Sequence, residues 1–266
     1  MVAAITGALT YANRVETRRF DVNEIKIPLD QLDPAFNGYK IIQISDIHMG
    51  GSMTRARLAH VVEMINAHEP DVVVVTGDFA THRRSFNVDD LIVPLSQINA
   101  KDGKFATLGN HDYRLNRAAV RHVIRASGLI PLNNTVHTIR RGDACLHLAG
   151  VESVIRHRAR LDLVLKVLPD DGTAILLAHE PDFAEVAAAT KRFSVQLSGH
   201  SHGGQIRVPL ITRFALPAFS QRYVMGAYRV GKMMLYVNRG LGTVGAPFRF
   251  NCPPEISVFT LSTALD

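Results

Sequence analysis

Leu197-Ser198-Gly199-His200-Ser201-His202-Gly203-Gly204-Gln205 places two imidazoles two residues apart among glycines. The stretch follows an alternation of apolar and polar residues that begins at Phe193, and glycine permits the sharp turn in which it ends. On an extended backbone the side chains at i and i+2 project to the same side, so both rings could face one cluster of cations. The stretch therefore predicts a metal-binding turn whose other ligands lie elsewhere in the chain.

The composition is that of an ordinary globular chain. The 266 residues are 47% hydrophobic and 20% charged, enough for one large α/β domain. The formal charge of +6 suits an anionic substrate, nucleic acid or an anionic membrane surface and does not choose among them. Aromatic residues make up only 7%, and no basic stretch interleaved with aromatics is visible, which argues against nucleic acid. Cys145 and Cys252 are too few for a disulfide framework, so we expect them to be buried small hydrophobes.

The N-terminal residues 1–20 form a segment of their own. Met1 to Ala12 is apolar and is followed by Arg14, Arg18 and Arg19, the flank expected where a hydrophobic segment leaves a membrane. The apolar part is shorter than the roughly 20 residues that span a bilayer. It is either a packed or frayed helix or the remnant of an anchor or signal. We expect residues 21–266 to form a single domain.

Strands and helices alternate along this domain, and polar residues follow the strands. The predicted strands are Lys40–Ser45, Asp71–Thr76, Lys104–Leu108, Ala144–Gly150, Thr173–Ala178, Ser194–Ser198, Tyr223–Val230, Met233–Asn238 and Ile256–Leu261. The predicted helices are Thr54–His68, Asp89–Ile98, Arg117–Ser127, Leu161–Leu168 and Phe183–Thr190. Ligands of open α/β sheets bind beyond the carboxyl ends of the strands, so we expect these polar clusters to converge on one crevice.

Five motifs occur in order at these strand ends: Asp46-x-His48, Gly77-Asp78, Gly109-Asn110-His111-Asp112, His179 and Gly199-His200-x-His202. The set resembles the signature of the calcineurin-like metallophosphoesterase superfamily. The stretch 197–205, with Arg239-Gly240-Leu241-Gly242, resembles more narrowly the branch of small membrane-associated or exported phosphoesterases, which includes enzymes similar to UDP-2,3-diacylglucosamine diphosphatases of lipid A biosynthesis. The resemblance implies an α/β fold, a four-layer α/β/β/α sandwich with mixed sheets and a metal site at the C-terminal ends of the strands.

The resemblance also implies the ligands of two divalent metal ions. Asp46, His48 and His202 would bind the first ion, and Asn110, His179 and His200 the second. Asp78 would bridge them. Two dications and two aspartates leave a net charge of about +2, which attracts a phosphate ester. We expect manganese, and the same nitrogen and oxygen ligands also accept iron, zinc, cobalt or nickel.

Other side chains are candidates for proton transfer and substrate binding. His111 is the expected general acid, or it stabilises the transition state as imidazolium, and Asp112 is expected to orient it. Arg83 and Arg239 are candidate phosphate contacts, although arginine is equally common on solvated faces.

The expected function is hydrolysis of a phosphodiester or pyrophosphate bond by a metal-bridged hydroxide. The substrate would be lipid-linked or nucleotide-linked, such as UDP-2,3-diacylglucosamine. The alternatives are a catalytically silent scaffold with the same fold, and a nuclease. Residues 208–228 mix apolar side chains with arginines, so they form either a membrane contact or a packed excursion over a sheet edge. We expect a monomeric bacterial protein that binds a membrane peripherally, at the cytoplasmic face or after export.

Overall fold

The computed structural model describes residues 12, 15–81, 87–115, 117–208, 212 and 216–264. Within these residues the chain forms two six-stranded mixed sheets. The first sheet contains β1 (Asp21–Leu29), β2 (Lys40–Ile44), β3 (Val72–Thr76), β4 (Lys104–Thr107), β5 (Ile130–Pro131) and β12 (Glu255–Thr263). The second contains β6 (Thr135–Arg141), β7 (Ala144–Gly150), β8 (Thr173–Leu177), β9 (Val195–Ser198), β10 (Gly226–Val230) and β11 (Met233–Val237).

Both sheets have a parallel centre. The first has the order β1-β12-β2-β3-β4-β5, in which β2 to β5 are parallel and β12 is antiparallel to β2. The second has the order β10-β11-β9-β8-β7-β6, in which β7, β8, β9 and β11 are parallel and both edge strands are antiparallel to their neighbours. The C-terminal ends of β2, β3 and β4, and those of β8 and β9, are therefore available to carry a site.

Helices cover the outer face of each sheet. The α-helices of the described part are Arg55–Ala67, Val88–Ser96, Asn110–Leu115, Arg117–Ala126, Leu161–Val167 and Ala184–Ala189, with short 3-10 turns at Glu16–Arg18, Pro34–Phe36, Pro181–Phe183 and His202–Gly204. The side chain of Thr54 accepts a hydrogen bond from the backbone N–H of Arg57 and caps the first helix. Pro94 lies inside Val88–Ser96 but close to its end, so the helix predicted there forms despite the proline.

Three apolar clusters separate four layers. In β3, Val73 and Val75 pack against helices on one face, whereas Val72 and Val74 pack between the two sheets. A third cluster fills the space between the second sheet and the helices Leu161–Val167 and Ala184–Ala189. The run of four valines is fully buried because successive side chains of a strand point to opposite faces and both faces are covered. The predicted α/β/β/α sandwich is thus confirmed.

The strands predicted from the sequence are all present, whereas β1, β5 and β6 were not expected. β1 and β6 lie at sheet edges and are only partly buried, so their sequences lack continuous apolar runs. Cys145 and Cys252 are buried free thiols, as predicted. The predicted N-terminal segment lies largely outside the described residues. Among the described helices, none is both long enough and apolar enough to cross a bilayer.

Candidate metal centre

The predicted ligands meet where the two sheets present their strand ends. Asp46 follows β2, Asp78 follows β3, and Asn110 begins the helix after β4. His179 follows β8, and the turn that carries His200 and His202 follows β9. Within the described residues these side chains form two groups suited to holding a metal ion: Asp46, His48 and His202 in the first trio, and Asp78, His179 and His200 in the second. The expected convergence on one crevice is confirmed.

The first trio is compact and buried. The Nε2 atoms of His48 and His202 lie 3.0 Å apart, and Oδ1 of Asp46 lies 3.3 Å from Nε2 of His202 and 3.8 Å from Nε2 of His48. The other oxygen of Asp46, Oδ2, accepts hydrogen bonds from the hydroxyl of Ser45 and the backbone N–H of His200. Oδ1 is consequently the atom that remains for a cation.

Asp78 lies between the two trios. Its Oδ2 atom is 3.2 Å from Nε2 of His179 and 3.6 Å from Nε2 of His48. Its Oδ1 atom accepts a hydrogen bond from the backbone N–H of His111. One carboxylate oxygen therefore reaches ligand atoms of both trios, as a bridging ligand must.

Three buried atoms of the predicted ligands make no hydrogen bond to any described residue. Oδ1 of Asp46, Oδ1 of Asn110 and Nε2 of His179 are buried and make no hydrogen bond within the described structure. Leaving a buried polar atom unpaired costs about 1–3 kcal/mol, so native folds seldom leave three together. Divalent cations would satisfy all three, and the donor set of carboxylates, imidazoles and an amide oxygen fits ions such as Mn²⁺.

The histidine rings are oriented by hydrogen bonds from their far nitrogens. Nδ1 of His179 lies 2.6 Å from the carbonyl oxygen of Thr76, and Nδ1 of His48 lies 2.7 Å from the hydroxyl of Thr81. For His200 the roles are reversed, because Nε2 lies 2.9 Å from the carbonyl oxygen of Ala218 and leaves Nδ1 for the centre. Such partners fix the tautomer and orientation of a metal-binding imidazole.

Backbone strain is concentrated in the same loops. Five of the predicted ligands adopt left-handed φ angles, which cost a non-glycine residue roughly 1 kcal/mol each. They are Asp46, His48, Asp78, His200 and His202. Strain of this kind persists at functional sites where the surrounding structure fixes the conformation.

Burial and the neighbouring charges shift the pKa values of the predicted ligands in different directions. Burial alone would lower the pKa of His179, but Asp78 and Asp46 outweigh it and hold that pKa well above the ordinary value. Burial would raise the pKa of Asp46, yet His202 and His179 keep it well below its usual range. Burial and neighbouring His202 lower the pKa of His48 to about 3, so this ring is neutral and able to bind a metal.

His111 lies beside the trios without belonging to either. Its ring contacts that of His48 edge to face, with centroids 5.0 Å apart, and it lines the cavity above the ligands. Burial lowers its pKa. The imidazole is therefore positioned for proton exchange with a molecule in the cavity.

Asp112 has a different role from the predicted one. Its Oδ2 atom accepts hydrogen bonds from the backbone N–H groups of Asp78 and Gly109, and its Oδ1 atom accepts one from Phe79. Burial and the neighbouring Asp78 raise its pKa to about 8. Because both oxygens accept hydrogen bonds from the backbone, Asp112 joins the loops after β3 and β4. This contact replaces the predicted one, in which Asp112 was expected to orient His111.

The cavity over the trios measures about 370 Å³. Its walls combine ligand residues with four apolar residues, Ile206, Pro217, Val244 and Ala246. Arg239 does not serve it as predicted, since its guanidinium lies 2.8 Å from Glu255 and 3.4 Å from Asp21 and only 13% of its side chain is exposed. Arg83 lies outside the described residues.

Two features escaped the sequence interpretation. Gln205, at φ 52°, donates to the carbonyl oxygens of Val244, Ala246 and Phe248, and so fixes one wall of the cavity. Arg249 is fully buried behind His202. The only sequence signal for Arg249 was a single charge among apolar residues in Pro247-Phe248-Arg249-Phe250.

Comparison with known proteins agrees with this geometry. The family model described as calcineurin-like phosphoesterase matches residues 39–204. The metallophosphoesterase YkuE of Bacillus subtilis is 33% identical over 270 residues, covering 98% of this chain and 94% of that protein. The phosphodiesterase YaeI of Escherichia coli is 26% identical over 227 residues, covering 84% of this chain and 82% of that protein. A Danio rerio protein named transmembrane protein with metallophosphoesterase domain is 31% identical over 256 residues, and the match covers 91% of this chain but only 57% of that protein. With the family model spanning more than half of its length and its ligand residues assembled at the strand ends, the chain belongs to the calcineurin-like phosphoesterase family.

Proposed function

We propose that the chain is a dinuclear phosphohydrolase that cleaves a phosphodiester or pyrophosphate bond. The observation that carries the proposal is the pair of buried trios, beside which three buried atoms of Asp46, Asn110 and His179 make no hydrogen bond within the described structure. Asp46, His48 and His202 would hold one ion, and Asn110, His179 and His200 the other, with Asp78 shared. Manganese is the ion we propose, because the ligands are nitrogen and oxygen atoms without a thiolate.

Two bound divalent ions would polarise a phosphoryl oxygen and lower the pKa of water. The chain's own contribution is placement. His111 faces the cavity and exchanges a proton with the leaving group or the phosphoryl oxygens. Asp112 fixes the loops that hold Asp78 and Gly109, so the bridging carboxylate has a defined position.

The cavity walls indicate the kind of leaving group. In the described part of the chain, no lysine or arginine lines the cavity. Beyond the predicted ligands and His111, the lining consists of apolar Ile206, Pro217, Val244 and Ala246 together with Ser201, Gly204 and Gln205. A neutral or apolar organic group fits such a wall better than one with further phosphates. We therefore propose a lipid-linked phosphodiester or pyrophosphate, with UDP-2,3-diacylglucosamine as the specific candidate from the sequence resemblance.

A peripheral membrane contact would bring such a substrate to the site. Phe219 is 42% exposed although it is apolar, and its neighbour Ala218 accepts a hydrogen bond from the ring of His200. Arg222 nearby is largely exposed and suits anionic headgroups. Relatives named as transmembrane proteins support a membrane location for this chain as well. We propose that the described part of the segment 208–228 touches the bilayer.

The test is Mn²⁺-dependent hydrolysis of bis-p-nitrophenyl phosphate, with release of UMP from UDP-2,3-diacylglucosamine as a second assay. We expect Asp78→Asn to lower kcat/KM by at least about 100-fold, and His111→Ala to lower it by about 10² to 10⁴-fold. His122→Ala, on the exposed face of a helix, is the matched control and should leave the rate unchanged. A wild-type protein that binds Mn²⁺ but hydrolyses neither substrate would instead favour a silent scaffold.

A further inference from the structure

Arg249 is a buried cation whose partners are almost all backbone carbonyl groups. Its side chain has no exposed surface. The guanidinium donates to the carbonyl oxygens of Arg239, Gly240, Gly242 and Cys252, at 2.7 to 3.2 Å. Among the described residues no carboxylate forms an ion pair with it. Burying an arginine in this way costs free energy, so the structure must gain something by holding it there.

Its acceptors belong to one loop, residues 239–252, which joins β11 to β12. This loop lies directly against the first trio. The backbone N–H of Gly242 donates to the carbonyl oxygen of Asp46, and that of Leu241 donates to Ser45. A Cβ atom on Gly240 would lie 2.7 Å from Cβ of Asp46, and one on Gly242 would lie 2.8 Å from Cβ of His48. A shift of the loop therefore displaces Asp46 and His48.

Arg249 and the loop also contact the third member of the trio. Nη2 of Arg249 lies 3.4 Å from Nδ1 of His202, and Nη1 lies 3.5 Å from the carbonyl oxygen of the same residue. The thiol of Cys252 lies 3.2 Å from that carbonyl oxygen as well. The contacts of Arg249 and its loop thus reach Asp46, His48 and His202, the whole first trio. None of the hydrogen bonds described for Arg249 goes to Asp78, His179 or His200.

We propose that Arg249 is a positioning residue for the first metal ion: it fixes the loop 239–252 beneath Asp46, His48 and His202, and so sets the affinity of that ion without touching substrate. The inference rests on the proposed dinuclear function and adds that Arg249 supports the binding of one of the two ions and not of the other. None of the contacts described for Arg249 reaches Asn110, His179 or His200, which would hold the second ion.

Two residues near the end of the predicted N-terminal segment 1–20 support Arg249 from the other side. The hydroxyl of Thr17 accepts a hydrogen bond from the backbone N–H of Arg249 at 2.8 Å. The carboxylate of Glu16 accepts one from the backbone N–H of Cys252, and Arg57 donates to the carbonyl oxygen of Thr17. Thr17 and Glu16 are both buried. The end of the N-terminal segment 1–20 is therefore linked through Arg249 to the first trio.

The test measures Mn²⁺ binding to metal-free protein by the electron paramagnetic resonance signal of free Mn²⁺. For Arg249→Lys and Arg249→Met we expect one of the two ions to bind about 10- to 100-fold more weakly, the usual effect of losing a supporting contact, and the other to be unchanged. Thr17→Val should weaken the binding of the same ion by about fivefold, as expected for the loss of one hydrogen bond. Arg121→Met is the matched control, because its guanidinium pairs with Glu152 and it lies on the helix Arg117–Ala126, outside the loop 239–252; we expect both ions to bind as in the wild type.

Double variants identify which ion is affected. In His179→Ala, which leaves the first trio intact, Arg249→Lys should weaken the binding of the ion that is still held most tightly. In His202→Ala, the same substitution should add little, because the interaction it supports is already lost. The reverse pattern would overturn the proposal, as would wild-type affinity for both ions in a folded Arg249→Lys protein. If Arg249→Met does not fold, Arg249→Lys and Thr17→Val decide the matter. A wild-type chain that binds no Mn²⁺ contradicts the proposed function itself. If two ions bind and neither affinity changes on substitution of Arg249, this inference alone is contradicted.

Discussion

Gly109 occupies a position beside the bridging carboxylate where no side chain fits. A Cβ atom there would lie 2.2 Å from Oδ1 of Asp78 and 2.7 Å from its backbone nitrogen. In Gly109→Ala, the carboxylate must therefore move by about 1 Å, and misplacement of that size at a reacting centre costs about 100-fold in rate. Overpacking costs a further 1–3 kcal/mol or so of the free energy of unfolding, roughly 2–6 °C in Tm at about 2 °C per kcal/mol for a chain of this size.

The assay combines thermal unfolding with Mn²⁺-dependent hydrolysis of bis-p-nitrophenyl phosphate. We expect kcat/KM of Gly109→Ala to fall about 100-fold while the protein remains folded at 25 °C. Gly51→Ala is the matched control, because its Cβ atom would have no neighbour closer than 3.8 Å, and we expect a rate within about threefold of the wild type. A folded Gly109→Ala protein that keeps wild-type activity would refute the assignment of Asp78 to the centre.

Three further outcomes follow from the contacts. Arg239, Tyr236 and Ser257 outweigh burial and lower the pKa of Glu255, so its stabilising effect is present above the ordinary value of about 4.3 and is lost as the pH falls through the lowered value. In urea unfolding, Glu255→Gln should cost about 3 kcal/mol at pH 7 and less near pH 3.5 or so; a constant difference would contradict this. Mn²⁺ at 100 times Kd should raise the free energy of unfolding by about 2.7 kcal/mol per site and therefore raise Tm, and EDTA should reverse the effect. Because His179 must lose its proton to bind metal and its pKa is held well above 6.5, the gain should keep increasing as the pH rises above 6.5, and a gain independent of pH would count against its role. Phe219→Ser should weaken binding to liposomes that contain anionic lipid, and unchanged binding would exclude the proposed membrane contact.

The parts of the fold and of the candidate site that depend on residues close together in the sequence could be predicted from it. The four valines of β3 predict a buried strand because both faces of a central strand are covered. Asp46-x-His48 and His200-x-His202 predict ligands because two residues of one turn must reach the same centre. The resemblance then divided these ligands between two ions, and the structure groups Asp46, His48 and His202 in one trio and Asp78, His179 and His200 in the other.

Features that depend on distant partners could not be predicted in this way. Arg249 contacts Thr17, which is 232 residues away in the sequence, and no local sequence pattern predicts such a contact. Arg239 lies near the glycines of the loop 239–252 and suggested a phosphate contact, but Glu255 and Asp21 bind its guanidinium. Asp112 follows His111 directly, yet the helix that begins at Asn110 turns its carboxylate toward backbone N–H groups of two loops. In each case the tertiary partner decided the role of the side chain.

Anomalous diffraction at the manganese edge, from crystals of the wild-type protein grown with Mn²⁺, locates the ions themselves. We predict two peaks about 3.5 to 4 Å apart, one within Asp46, His48 and His202 and the other within Asn110, His179 and His200, with Asp78 between them. A single peak, or peaks away from these side chains, would contradict a dinuclear centre in this chain.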